Sequence, residues 1–141
     1  MSMHDPLVTL RQMVDFIEEA QAIARDRSLD SIMNDQVLLR AFERVMELVG
    51  EAAKRLPLSL REQYPQMPWC HIAGMRDVIS HAYEDLTYGI LWDALQLHFP
   101  ELLTTVNLMI TDLEKKCPII SVSSAVRSER VQTKPLNLTV L

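Results

Sequence analysis

The chain has 141 residues, 48% of them apolar and 23% charged, only three glycines, and a formal net charge of -5. That length suits one domain with its own core, and the composition favours helix and excludes a globally basic nucleic-acid footprint, so that any such contact must use a local basic patch. No apolar run reaches membrane-spanning length, the start MSMHDPLVTL lacks a signal-peptide pattern, and two isolated cysteines, Cys70 and Cys117, suggest a reducing compartment rather than a disulfide framework. A cytoplasmic protein is expected.

Asp5-Pro6 reads as a helix start, a capping carboxylate before a proline at the first helical position. Leu7, Leu10, Val14, Ile17 and Ala24 continue it at helical spacing to about Arg27. SLDSIMND (28–35) is a polar connection, with room for a short turn of its own. In the second and longest helix Leu38, Phe42, Val45, Leu48, Val49, Ala52 and Leu56 form one stripe, which Pro57 ends. Gly50 sits inside this helix, where it costs up to about 1 kcal/mol relative to Ala. Its expected use is to let another backbone approach closely.

Residues 57–68 hold three prolines and make a structured connection. PWCHIAGMRDVIS (68–80) reads as a third helix with Trp69, Ile72, Val78 and Ile79 inward. YGILWDALQLHF (88–99) reads as a fourth, with Ile90, Leu91, Ala94 and Leu97 inward, and Pro100 opens a fifth carrying Leu102, Leu103, Val106, Ile110 and Leu113. After Cys117 the helical period is lost. The expected organisation is an all-α, up-and-down bundle of four to five helices over 1–117, with 118–141 a disordered or extended tail.

Within this frame RDVISHAYED (76–85) stands out. Arg76 and His81 are five residues apart, which on one uninterrupted helix leaves them about 140° apart. On spacing alone the segment reads as ordinary helix surface, with Asp77 and His81 a common i,i+4 pair and Tyr83 an amphipathic core residue. The chemical alternative is RNA cleavage. RNA carries its own nucleophile, the 2′-OH; a histidine can move the protons, and an arginine matches phosphate oxygens and offsets the charge that builds on them. No metal is needed. A helix break before His81, or two chains meeting on a two-fold axis, would bring such groups together.

The chain resembles the HepT-like branch of the HEPN superfamily, small all-α proteins encoded beside a minimal nucleotidyltransferase. The resemblance runs in order through VGEAAKRLP (49–57), YPQMPW (64–69), GMRDVISHAY (74–83), LW (91–92) and FPELL (99–103). It maps the family's Arg-polar-x3-His-x-Tyr pattern onto Arg76, Asp77, His81 and Tyr83. It implies a metal-independent endoribonuclease that needs no cofactor, acts on mRNA or tRNA, and serves as the toxin of a toxin-antitoxin pair. Arg76 and His81 would be catalytic, Asp77 and Tyr83 supporting. It further implies a homodimer with a shared cleft, silenced when the partner nucleotidyltransferase transfers AMP to Tyr83. Asp77 could hold the His81 ring or repel phosphate. The alternative is a non-catalytic helical module that binds a nucleotidyltransferase or a nucleotide.

Other residues favour plainer readings. His4, His71 and His98 are scattered, and His71 beside Cys70 has no recognised zinc spacing with Cys117. Glu51 is a solvated or paired carboxylate with a possible supporting role. Arg40, Arg44, Lys54 and Arg55 read as solvated helix surface rather than as a basic cleft. Trp69 and Trp92 read as core rather than as base-stacking platforms.

Overall fold

The computed structural model describes residues 5–80 and 85–116, with the side chains of Asp85 and Leu86 excepted. Eight helices are found among the described residues: α1 (Pro6–Ala24), α2 (Leu29–Met33), α3 (Gln36–Arg55), α4 (Leu58–Glu62), α5 (Trp69–Ala73), α6 (Met75–Ser80), α7 (Asp85–Leu97) and α8 (Phe99–Lys116). The fold is an all-α bundle, as the sequence predicts. The larger count arises from two short helices in the connections and from a division of the expected third helix at Gly74. His81, Tyr83, Cys117 and the expected tail lie outside the described residues.

Two compact units are distinguished, 1–108 and 109–141. Of the second, the structure describes the last turns of α8, which carry Lys115 and Lys116 at the helix's negative end.

In the first unit the helix starts follow from local chemistry. The Asp5 carboxylate accepts from the Leu7 amide at 3.0 Å, with Pro6 in the first turn. Asp35 caps α3 by accepting from the Val37 and Leu38 amides at 3.0 and 3.1 Å. Ser28 and Ser31 form a reciprocal capping box for α2. These caps satisfy amides that have no partner within their own helix.

The core lies between α1 and α3. Leu10, Met13 and Ile17 on α1 and Phe42, Met46, Val49 and Ala53 on α3 are fully enclosed. Arg55 near the end of α3 reaches Gln12 in the first half of α1 at 3.4 Å, as expected for helices that run antiparallel. On α7 the Tyr88 hydroxyl donates to the Glu43 carboxylate, whose other oxygen takes the Arg40 guanidinium at 2.9 Å. The Trp92 ring lies 6.3 Å from that of Phe42, tilted by 57°. Two successive turns of α7 are thereby tied to α3.

Some burial differs from expectation. Trp69 is buried and donates its indole N–H to the Tyr64 carbonyl at 3.0 Å, but Trp92 is only half-buried. Ile90 and Leu97 face outward, 53% and 69% exposed, while Leu91 is inward as expected and is joined there by Leu95. Helix α7 is apolar on more than one side, so its period did not select the stripe. Cys70 is exposed.

Candidate functional site

Gly50 explains how the segment around residue 76 is placed. A Cβ built there would lie 3.1 Å from the Ile72 carbonyl oxygen, 3.2 Å from the Arg76 amide nitrogen and 3.4 Å from the Ala73 carbonyl oxygen. The backbones of α3 and the α5–α6 junction are therefore in direct contact, the close approach that the sequence predicts for this glycine. The division at Gly74 falls at this crossing. Its amide still donates to Cys70 O at 2.9 Å, and its carbonyl accepts from Val78 at 3.1 Å.

One residue after Gly50, Glu51 faces the same segment. Its Oε2 lies 3.5 Å from Arg76 Nε. The Arg76 side chain is 49% exposed and that of Glu51 24%, so the pair sits at the surface rather than in the core. An exposed pair of this kind contributes about 0–1 kcal/mol to stability. Its larger effect is orientation. A guanidinium has five N–H donors, and a contact through Nε leaves the outer nitrogens with donors to spare for a phosphate.

Asp77 is exposed, one residue on from Arg76. The Ser80 hydroxyl donates to the Arg76 carbonyl at 3.0 Å, a side-chain bond at the last described turn of α6. Of the four motif residues, the structure describes Arg76 and Asp77. Beside Arg76 it places Glu51, for which the sequence left a supporting role open; the contact itself spans 25 positions and leaves no local pattern to read.

Two of the four cations named on α3 are neutralised by acids on the same helix. Arg40 pairs with Glu43 at 2.9 Å and Arg44 with Glu47 at 3.0 Å, in line with the solvated reading of that face. Among the described residues no three His, Cys, Asp or Glu side chains group as metal ligands, and no helix is long and apolar enough to cross a membrane.

A family model described as Ribonuclease HepT-like matches residues 10–109. The chain belongs to this family. Helices α3 and α6, with Glu51 and Arg76, lie wholly inside the match. A protein of Caldanaerobacter subterraneus subsp. tengcongensis, named provisionally as an RNase, is 44% identical over 75 residues, covering 53% of this chain and 67% of its own. One from Methanocaldococcus jannaschii, named in the same way, is 30% identical over 107 residues, 76% of this chain and 92% of its own. "Probable ribonuclease HepT" of Thermococcus cleftensis is 30% identical over 98 residues, 70% of this chain and 86% of its own. No solved structure matches the chain.

Proposed function

We infer that this HepT-like chain is a metal-independent endoribonuclease with Arg76 and His81 as its catalytic residues. The observation that carries the reading is Arg76 itself: half-exposed, anchored through Nε by Glu51 at 3.5 Å, and set on a helix whose backbone is fixed by contact with Gly50. In the proposed reaction the 2′-oxygen of the RNA attacks the adjacent phosphorus, and the bond to the 5′-oxygen of the next nucleotide breaks. The products are a 2′,3′-cyclic phosphate and a free 5′-hydroxyl. One proton leaves the 2′-oxygen and one is delivered to the 5′-oxygen, and His81 serves that traffic. Arg76 offsets the charge on the non-bridging oxygens.

The finer elements rest on the family resemblance. They are a homodimeric cleft with two copies of residues 76–83, a toxin role against cellular RNA in the cytoplasm, and silencing by AMP transferred to Tyr83 from a partner nucleotidyltransferase. The physical logic of silencing is direct, since a phosphate ester beside the cleft places negative charge and bulk where RNA phosphate must sit.

The test is incubation of purified protein with RNA, with and without excess EDTA. Cleavage that persists in EDTA, and that falls by about 10²-fold or more in Arg76→Ala and in His81→Ala, is the expected result. Loss in chelator with recovery on adding a divalent metal would overturn the mechanism. Absence of cleavage by the native protein would favour the non-catalytic binding module.

A further inference from the structure

Beside α6, on the side of Met75 and Val78, a cavity of about 480 Å³ opens between α5–α6 and α7. Its volume lies within the range of small-ligand sites, roughly 300–1,000 Å³. The inner wall is apolar, with Ile72, Met75 and Phe99 all buried. Three exposed polar side chains also line it: His71 from α5, Asp93 from α7 and His98 from the α7–α8 junction. They do not form a metal-ligand group. An apolar slot with a few polar groups at its edge is the chemistry of a flat heterocycle, with faces that take dispersion contact and an edge that takes hydrogen bonds.

We propose that this slot receives one nucleobase of the RNA, next to the phosphate held by Arg76, and that Asp93 selects bases bearing an exocyclic amine. The proposal rests on the ribonuclease reading for its link to Arg76, and on the slot alone for its base preference. Met75 in the wall directly precedes Arg76 on α6, their side chains about 100° apart around the helix, so the slot adjoins the residue that would hold the phosphate. Selection follows from donor and acceptor identity. A carboxylate is an acceptor. Adenine, cytosine and guanine each present an exocyclic amino donor, whereas uracil has none and flanks its one N–H with carbonyl oxygens, which a carboxylate repels. The histidines can pair with either class and give no such discrimination.

The test uses the full chain and fluorophore-labelled 2′-O-methyl RNA pentamers of each base, which lack the nucleophile and report binding alone. The wild-type protein should bind the A, C and G pentamers roughly tenfold more tightly than the U pentamer, the scale of one base-edge contact. Asp93→Asn, an exposed position, should bring the four within about twofold. Equal binding of all four by the wild type, or a preference unchanged in Asp93→Asn, overturns the proposal. A changed oligomeric state in Asp93→Asn with the base profile intact makes the slot a protein contact and also overturns it. So does displacement of the pentamer by free 5′-AMP at an equal or lower concentration, which makes a mononucleotide the occupant. Unmodified RNA separates the two readings. Base preference in binding without cleavage removes the ribonuclease and keeps the slot, while cleavage with a flat base profile removes the slot alone.

Discussion

Gly50→Ala and Gly89→Ala make the same chemical change inside two helices and are expected to act in opposite directions. Intrinsic propensity favours Ala over Gly by about 0.8–1 kcal/mol in a helix interior. At Gly89 no atom of the described residues lies within 4 Å of the added Cβ, so Gly89→Ala should stabilise the protein by about that amount. At Gly50 the Cβ would meet the Ile72 carbonyl at 3.1 Å and the Arg76 amide at 3.2 Å. Both are backbone atoms and cannot rotate away, so α3 must part from the α5–α6 junction. Overpacking of this kind costs about 1–3 kcal/mol, which leaves a net loss of about 1 kcal/mol after the propensity gain. The two variants should therefore differ by about 2 kcal/mol, read as urea midpoints on either side of the wild type with unchanged m-values. In thermal unfolding this is a separation on the order of 8 °C for a domain near 100 residues. Because one touching atom is the Arg76 amide, Gly50→Ala should also lower RNA cleavage, and Gly89→Ala should not. A Gly50→Ala protein as stable as the wild type would refute the crossing as the reason for this glycine.

Three further outcomes are expected. Glu51→Gln, which keeps the shape but removes the charge that orients Arg76, should lower kcat about tenfold while KM stays level or falls; a rise in KM with kcat unchanged would deny it a positioning role. Intact-mass analysis after incubation with the partner enzyme and ATP should show added AMP units that disappear in Tyr83→Phe; modification that survives there places the regulatory site elsewhere. Heterodimers of one wild-type and one His81→Ala chain should lose most activity if both histidines serve one cleavage, and retention of half would contradict a shared cleft.

Fold class was legible because long amphipathic periods and caps agree: Asp5-Pro6 opens α1, and Pro57 follows α3. Gly50 was legible as a point of close approach because a glycine inside an otherwise strong helix former needs a reason. What approaches it was not legible, since the Ile72 carbonyl and the Arg76 amide lie more than twenty positions away and sequence patterns are local. The same limit hid the Glu51–Arg76 contact. Gly74 read as an interior helical position, and only the crossing with α3 marks it as a boundary. On α7, Leu91 was read inward correctly, but Ile90 and Leu97 were as plausible inward as Leu95, because a helix apolar on several sides carries no phase.

The charges around Arg76 lead to a final expectation about salt. The chain is acidic overall, and two arginines of α3 are matched by acids, Arg40 by Glu43 and Arg44 by Glu47, while Arg55 meets the neutral Gln12. Arg76 itself is met by Glu51. Around Arg76 these acids reduce the positive field that would gather phosphates from a distance. Recognition at this site must be short-range, through the free N–H groups of Arg76 and whatever the base contacts add. In the proposed dimer two such arginines meet two phosphates. With a slope of about -0.7 per phosphate for single strands, log K against log salt should fall with a slope of about -1.4. The measurement is binding of the His81→Ala protein to labelled RNA between low and physiological salt. A slope steeper than about -4 would require six or more phosphate contacts by the same rule, and would place RNA on a basic surface other than this one.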